Sequence, residues 1–267
     1  MLETKDVCLA YDGAVVVDRL DLRLRQGEIT AIVGPNGSGK STVLKSLARI
    51  LRPASGTVYL QGKDLAAWAP REAAKEIAHL PQLPEAPAGL LVRDLVGYGR
   101  HPWVRGFSGF GKSDRDAVQR ALELTGMSEL SERPVGSLSG GQRQRAWIAM
   151  ALAQDASCLL LDEPTSALDI AHQMELMDLI QALNVDAART FVLVLHDLNQ
   201  AARVAHRMIA MKAGAIEADG PPATVMTPEI LRAVFGIEAD VIADPRTGAP
   251  LFLPWSSRQN EIPGASG

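Results

Sequence analysis

The segment from Gly34 to Ser41, Gly-Pro-Asn-Gly-Ser-Gly-Lys-Ser, constrains the fold of this chain more than any other feature. It fits the pattern G-x-x-x-x-G-K-[ST], in which glycines let the backbone wrap a phosphate chain with its N–H groups pointing inward. A compact apolar run, Glu28 to Val33, precedes it, and a helical pattern from about Lys40 to Ile50 follows. Because such a helix presents its N-terminal donors to the same anion, the segment predicts a phosphate-binding loop in an α/β fold.

Two side chains at the end of this loop are predicted to act directly on a bound nucleotide. Lys40 should reach the β- and γ-phosphates, and the Ser41 hydroxyl should ligate Mg²⁺. A chance glycine-rich turn is the alternative, and the flanking strand and helix argue against it. The predicted nucleotide-binding residues of this segment are Gly34, Pro35, Asn36, Gly37, Ser38, Gly39, Lys40, Ser41 and Thr42.

A second motif, Cys158-Leu-Leu-Leu-Asp-Glu-Pro164, has four apolar positions followed by two carboxylates. The apolar run is typical of a strand that is covered on both faces. Ligands of open α/β sheets bind beyond the carboxyl ends of such strands. Asp162 is therefore predicted to hold Mg²⁺ through water, and Glu163 to accept a proton from the attacking water. A solvated turn is an equal alternative for this motif alone, but not beside a phosphate loop.

A third motif, Leu138-Ser-Gly-Gly-Gln142, opens a helical pattern a short distance before Asp162. A serine and glycines at a helix N-terminus form a second anion cradle, although such a turn alone is more often a simple cap. In combination with the other two motifs it resembles the signature of the ABC ATPases. The resemblance implies that ATP and Mg²⁺ are bound and that this cradle contacts the ATP held by the other subunit of a dimer. The residues so implied are Leu138, Ser139, Gly140, Gly141 and Gln142.

The resemblance assigns roles to four further positions. Tyr11 matches the aromatic residue that stacks on adenine, and Gln82 matches a glutamine that contacts Mg²⁺ or water and reports the nucleotide state. His196 matches the histidine at the γ-phosphate, and Asp169 ends a loop, Ser166 to Asp169, that crosses the dimer interface. Taken alone, Tyr11, Gln82 and His196 would more often be packing, loop or structural residues, and the loop that ends at Asp169 would as often be a helix N-cap. The remaining histidines match no motif and are predicted to be structural or surface residues: His79, His101, His172 and His206.

Composition narrows the class of protein. The chain has 267 residues, 47% of them hydrophobic and 22% charged, which suits a packed fold and argues against disorder. A net charge of −4 gives no sign of a nucleic-acid partner. The two cysteines are expected to be small buried hydrophobes in a reducing compartment. The N-terminus shows no signal peptide, and no stretch reaches the roughly 18 uncharged apolar residues of a membrane helix. If the chain serves a membrane process, we therefore expect it to dock on a separate membrane protein.

The fold predicted is a single ABC ATPase domain over residues 1–255. It combines a phosphate-loop NTPase core, an N-terminal antiparallel β-subdomain and an inserted α-helical subdomain. The core is placed at about 1–83 and 155–240, the helical subdomain at about 84–154, and a short C-terminal extension at 241–255. Residues 256–267, which are polar and contain Gly and Ser, are predicted to be a disordered tail.

The substrate is inferred from resemblance alone, because the ATPase subunit does not touch the cargo. Gly99 to Gly111, Gln142 to Gln154, Ser166 to Gln173 and Val241 to Pro254 resemble the ferric-siderophore importer ATPases. This implies a bacterial importer, with the chain on the cytoplasmic face of the inner membrane. Its implied partners are a second copy of itself, membrane permease subunits and, indirectly, an extracytoplasmic substrate-binding protein.

The cargo remains open within the family at this point, whereas the sequence argues against two other classes of protein. Haem or cobalamin import is the runner-up within the family, and hydroxamate and catecholate cargo are not separable from this sequence. A soluble ABC protein of DNA repair or translation would carry tandem domains or coiled-coil insertions, which this chain lacks. A GTPase would carry an Asn-Lys-x-Asp sequence, which is absent, and a metabolic kinase would not need Leu138 to Gln142.

Overall fold

The fold is known from a computed structural model that describes residues 1–82, 86–104, 109–166 and 168–255. The predicted tail, 256–267, lies outside the described residues. The strands of the described chain are β1 (Leu2–Tyr11), β2 (Ala14–Arg23), β3 (Ile29–Val33), β4 (Ser55–Leu60), β5 (Lys63–Asp64), β6 (Ile77–Leu80), β7 (Cys158–Asp162), β8 (Thr190–Val194), β9 (Arg207–Lys212), β10 (Ala215–Gly220), β11 (Glu238–Ala243) and β12 (Pro250–Trp255). Its helices are α1 (Lys40–Leu47), α2 (Pro70–Glu76), α3 (Val92–Tyr98), α4 (Lys112–Leu124), α5 (Gly140–Ala153), α6 (Ile170–Ala187), α7 (Leu198–Val204), α8 (Pro222–Val225) and α9 (Pro228–Ile230).

A six-stranded sheet in the order β10-β9-β3-β8-β7-β6 forms the centre of the molecule. Its strands run parallel except for the edge strand β10, which pairs antiparallel with β9. Strands β3, β7 and β8 are buried at every position, which confirms that the wholly apolar runs predict central strands. Helix α1 ends at Leu47, earlier than the predicted Ile50, because Arg49 adopts a left-handed φ of 62°.

The second sheet is antiparallel, in the order β2-β1-β4-β5. Its apolar side chains pack with α1 and with one face of the central sheet, to which Ile32, Leu160 and Val192 belong. The alternating side chains of the same strands, such as Ala31 and Leu159, pack on the other face with α5 and α7. Helix α1 therefore lies between the two sheets, which fixes the phosphate loop at its N-terminus against the edge of the central sheet.

Helices α3, α4 and α5 pack together within the segment predicted as the helical subdomain. A buried ion pair joins them, because Arg100 Nε donates to Asp114 Oδ1 at 3.1 Å and both side chains are less than a tenth exposed. Arg100 Nη1 also donates to the Ala153 carbonyl at 2.8 Å, and Asp114 Oδ2 accepts from the Gly111 amide at 3.0 Å. The charges are thus paired and hydrogen-bonded, as burial requires.

Loss of one member of this pair is expected to be costly. Asp114→Ala leaves a buried guanidinium without its counterion, so the free energy of unfolding should fall by about 3–5 kcal/mol. Asp178→Ala is the matched control, since it breaks an ion pair with Arg203 whose side chains are 34% and 60% exposed. That change should cost less than about 1 kcal/mol. Denaturant titration of both variants measures the difference, and equal losses would contradict the proposed role of the buried pair.

The C-terminal hairpin of β11 and β12 packs on the core through Ala239, Val241 and Phe252, and one side chain of α7 hydrogen-bonds to it. Asn199 in α7 accepts from the Phe252 amide at 2.9 Å and donates to its carbonyl at 3.3 Å. Both cysteines are free: Cys158 is buried as predicted, and burial raises the pKa of its thiol to about 12, whereas Cys8 is only half-buried and departs from the prediction. Within the described ranges, no helix is both long and apolar enough to cross a bilayer.

Candidate nucleotide site

Four neighbouring parallel strands end at the same edge of the central sheet, and each is followed by predicted site residues. The phosphate loop follows β3, Gln82 follows β6, Glu163 follows β7 and His196 follows β8. The register pairs Asp162 with Val194 and Val194 with Ile32, so three of these strands end at the same level. The sheet therefore gathers residues that lie far apart in the sequence at one carboxyl edge, where ligands of α/β proteins bind.

Close packing requires glycine at two positions of the phosphate loop. A Cβ built on Gly34 would lie 2.2 Å from the Met211 carbonyl oxygen, and φ at Gly34 is 153°. A Cβ on Gly39, where φ is 97°, would lie 2.8 Å from Val17. No other residue type fits either position without displacing backbone or core, which explains the pattern of the motif.

Lys40 is buried within this loop. Its Nζ donates to the carbonyl oxygens of Gly34 and Pro35, each at 2.9 Å. Burial lowers the pKa of Lys40, while the nearby Glu163 and Asp162 carboxylates oppose that shift. A cation removed from water and held at the base of the loop suits the binding of a polyphosphate.

Ser38 supplies an independent indication that the loop binds an anion. The residue is 2% exposed, and its Oγ has no hydrogen-bond partner among the described residues. A buried hydroxyl left without a partner is uncommon and calls for a ligand or water at that position. The residues present thus fit a nucleotide phosphate chain.

Ser41 and Asp162 form a pair of oxygen ligands beside the loop. The Ser41 hydroxyl donates to Asp162 Oδ1 at 2.8 Å. Burial raises the pKa of the Asp162 carboxyl, the hydrogen bond from Ser41 opposes that rise, and the neighbouring Glu163 adds to it. A hydroxyl and a carboxylate suit Mg²⁺, which usually takes one or two protein oxygens and completes its shell with phosphates and water.

Glu163 lies at the centre of the site. Its Oε2 accepts from Gln82 Nε2, and its Oε1 lies 2.5 Å from His196 Nε2. The Glu163 side chain is 12% exposed, and its amide donates to the Val194 carbonyl at 3.1 Å. The structure therefore brings Gln82, Glu163 and His196 together. A carboxylate held at two points can orient a water molecule and accept its proton.

A cleft of about 390 Å³ contains this group, and the predicted Tyr11 is not among its lining residues. Tyr11 lies at the turn between β1 and β2 and is 41% exposed. Val16 in β2 lines the cleft instead, a residue that sequence reasoning missed. Strict alternation along β2 could not identify Val16, because the register of this strand shifts between the buried Val17 and Leu20, where Arg19 adopts a φ of 47°. The adenine-stacking role of Tyr11 stays a prediction.

The third motif lies at the start of α5 and does not line this cleft. Ser139 is the N-cap of the helix: its Oγ accepts from the Gln142 amide at 3.3 Å, and Gln142 Oε1 accepts from the Ser139 amide at 3.2 Å. Leu138 is buried, whereas Ser139 is exposed. This reciprocal cap leaves the serine and both glycines at the surface, where a second molecule can reach them.

Asp169 caps α6 close to the third motif. Its Oδ1 accepts from the His172 amide at 2.9 Å and lies 2.7 Å from His172 Nδ1. The amide hydrogen bond from His172 lowers the pKa of the exposed Asp169 carboxyl. A Cβ on Gly141 would lie 2.8 Å from the His172 ring. His172, predicted as structural or surface, is thus a packing contact between the two motifs.

The fold and the site together define a phosphate-loop ATPase with an α-helical insertion. A family model described as ABC transporter matches residues 17–166. The chain is 49% identical to the iron(3+)-hydroxamate import ATP-binding protein FhuC of Bacillus subtilis, over 97% of each chain. It is 48% identical to the probable siderophore transport system ATP-binding protein YusV of the same organism, over 95% of this chain and 92% of that one. The chain belongs to the ABC transporter family and is an ATP-binding, ATP-hydrolysing subunit.

Solved structures agree with this assignment. An inward-facing putative metal-chelate type ABC transporter matches with a TM-score of 0.83 at 29% identity, covering 97% of this chain and 98% of that one. A dimeric ATP-binding cassette with ADP and phosphate, in a post-hydrolysis state, matches with a TM-score of 0.72 at 30% identity. The latter match covers 83% of this chain and 98% of the cassette. The fold class predicted from the sequence is confirmed, while the predicted boundaries of the core and the helical subdomain stay a prediction.

Proposed function

We propose that this chain powers the import of a ferric-siderophore complex into a bacterium. The similarity to an iron(3+)-hydroxamate import subunit, at 49% identity over nearly the whole of both chains, is the observation that carries the proposal. The chain would lie on the cytoplasmic face of the membrane, attached to permease subunits. An extracytoplasmic binding protein would deliver the cargo on the opposite side.

In the proposed chemistry, water attacks the γ-phosphorus of ATP, the bond from that phosphorus to the β–γ bridging oxygen breaks, and ADP and phosphate are released. Glu163 orients the water and accepts its proton, while His196 hydrogen-bonds the carboxylate and the γ-phosphate. Lys40 leaves the carbonyls of Gly34 and Pro35 to bind the β- and γ-phosphates, exchanging two neutral acceptors for anionic ones. The backbone amides of the loop bind the remaining phosphate oxygens.

Ser41, Asp162 and Gln82 would hold Mg²⁺ in this scheme. When bound, the ion would neutralise charge on the β- and γ-phosphates. Gln82 already donates to Glu163, so its side chain would have to exchange that contact when nucleotide binds. Such an exchange would connect the state of the nucleotide to the start of the helical insertion, which is the sensing role proposed for Gln82.

We further propose that the permease docks on the helical insertion, near Gln82 and the stretch from Leu83 to Arg105. Residues 83–85 and 105–108 lie outside the described residues. Within the described part, an apolar cleft of about 670 Å³ lies between α3 and α4, lined by Leu90, Tyr98 and Phe110 among others. Tyr98 and Phe110 are 57% and 43% exposed, and adjacent exposed aromatic side chains are typical of a protein interface.

Uptake by a deletion strain tests the substrate. Cells lacking this chain should lose uptake of radiolabelled iron presented on a siderophore, while haem and cobalamin uptake, measured in parallel, should persist. Re-expression of the chain should restore uptake, and Lys40→Ala should not, because the variant lacks the phosphate-binding cation. Unchanged siderophore uptake together with lost haem or cobalamin uptake would replace the proposed substrate and leave the ATPase assignment standing.

A further inference from the structure

Two glutamines outside the motifs connect the loop after Glu163 with the helix after His196. Gln173 lies in the first turn of α6, and its Nε2 donates to the carbonyls of Thr165 at 3.2 Å and Leu168 at 3.0 Å. Gln200 lies in α7, and its Nε2 donates to Gln173 Oε1. Both side chains are half-buried. We propose that Gln173 and Gln200 form a positioning bridge that holds Thr165 and Leu168, which follow Glu163 in the chain, in a fixed position relative to His196.

The direction of the bridge is fixed by its chemistry. The two loop carbonyls can only accept hydrogen bonds, so Gln173 must turn its amide nitrogen towards them. Its Oε1 then faces α7 as an acceptor, and residue 200 must donate. Gln200 does so although its own Oε1 is left buried without a partner among the described residues. If the Gln200 amide were rotated by a half-turn, its Oε1 would face Gln173 Oε1, and two acceptors would lie opposite each other. Only the observed orientation of the two amides therefore forms the hydrogen bond.

The bridge ends close to the reacting groups at both sides. On one side, the Ser166 amide donates to the Glu163 carbonyl at 3.2 Å, and the Leu168 amide donates to the Thr165 carbonyl at 3.1 Å. On the other side, the Gln200 amide donates to Asp197 Oδ1 at 3.0 Å, and Asp197 directly follows His196. A change in the position of His196 would therefore reach the loop through one chain of hydrogen bonds.

This inference rests on the proposed function, in which Glu163 and His196 act on ATP, and on the role that the family resemblance implies for Ser166 to Asp169, contact with a second copy of the chain. Under that proposal the bridge links the catalytic centre of one copy to its surface for the other. Neither glutamine touches the nucleotide cleft, so both are positioning residues. Loss of the bridge should then impair turnover and pairing of the copies without impairing nucleotide binding.

Gln181 provides a matched control on the same helix. Its Nε2 donates to the Arg203 carbonyl at 3.4 Å, so it also connects α6 to α7 but makes no contact with the loop. Gln181→Leu thus removes an inter-helix hydrogen bond of the same kind and tests whether helix packing alone explains an effect. Gln173→Glu tests the direction of the bridge, because it keeps the shape but turns a carboxylate towards two carbonyls.

The experiment measures ATP turnover and KM of the purified full chain, ATP binding, and thermal stability. Gln173→Leu should lower kcat about tenfold with KM changed less than about twofold, since small misplacements of catalytic groups are costly. Gln173→Glu should be at least as slow. Gln200→Leu should resemble Gln173→Leu, and the double variant should be no worse than either single one, because both remove the same connection. Gln181→Leu should behave as the wild type.

Two results would overturn the inference. The first is wild-type kcat in Gln173→Leu. The second is a parallel loss of stability and turnover in Gln173→Leu and Gln181→Leu, which would mean that the pair only packs the helices. A wild-type chain that hydrolyses ATP but supports no siderophore uptake would refute the proposed substrate and leave the bridge unaffected. The two failures are therefore distinguishable.

Discussion

Glu163→Gln is expected to lower ATP turnover by about 10²–10⁴-fold while ATP binding is retained. The amide has nearly the shape of the carboxylate and can still accept one hydrogen bond, so the contacts with Gln82 and His196 need not both be lost. It cannot accept a proton from water at neutral pH. The phosphate-binding cation Lys40 is untouched, so affinity for ATP should stay close to that of the wild type.

The measurement is steady-state ATP hydrolysis in the assembled transporter, together with nucleotide binding by the isolated chain. Lys40→Ala is the opposite case to Glu163→Gln, because it should weaken the binding of ATP. Glu129→Gln is the control for charge loss, since Glu129 is exposed and lies outside the cleft. Turnover of Glu163→Gln equal to that of the wild type would remove Glu163 from the reaction.

The parts of the fold that follow from local pattern were predictable. Strands β7 and β8 appear as short apolar runs because both of their faces are covered. The β11–β12 hairpin was not predicted, since Pro250 and Pro254 argue against a strand. The structure accommodates them because the sheet has only two strands, and it is held on the core by apolar contacts of Ala239 and Val241 as well as by the hydrogen bonds of Asn199.

Arg100 shows the limit of reading a segment by its composition. It belongs to a glycine-rich stretch that resembles a permease-facing segment, yet it is 6% exposed. A Cβ on the neighbouring Gly99 would lie 2.1 Å from the Met150 carbonyl, so the backbone at Gly99 packs closely on α5. The burial of Arg100 depends on a counterion, and that counterion, Asp114, lies on α4. Spacing in the sequence alone did not identify Asp114 as the partner.

The site was predictable where motifs define it and not where tertiary contacts do. The convergence of Asp162, Glu163 and His196 follows from parallel strands ending at one edge. Gln173 and Gln200 are 27 positions apart in the sequence and lie on different helices. From the sequence alone, glutamines on helices are interpreted as ordinary surface residues. No periodicity indicates which of them turn inward.

The largest expected effect on assembly concerns Ser139. Within one copy of the chain, Ser139 does not line the cleft that contains the phosphate loop. The phosphate loop and the third motif each lie at a helix N-terminus, and both are predicted to bind phosphate. If each ATP is bound between the phosphate loop of one copy and the third motif of another, two copies form a closed symmetric pair around two nucleotides. Slow turnover in Glu163→Gln should trap this pair.

Light scattering of Glu163→Gln with ATP should therefore report twice the mass of a single chain, and the mass should fall to that of one chain when ATP is removed. Adding Ser139→Arg should abolish pairing, because a bulky cation fills the cradle that receives the partner's nucleotide. ATP binding by the single chain should persist. Ser113→Arg is the matched control: it makes the same substitution at an exposed serine in the first turn of α4, outside the motif. If Ser139→Arg pairs as well as Ser113→Arg does, the third motif does not receive the partner's ATP, and each copy must complete its own site.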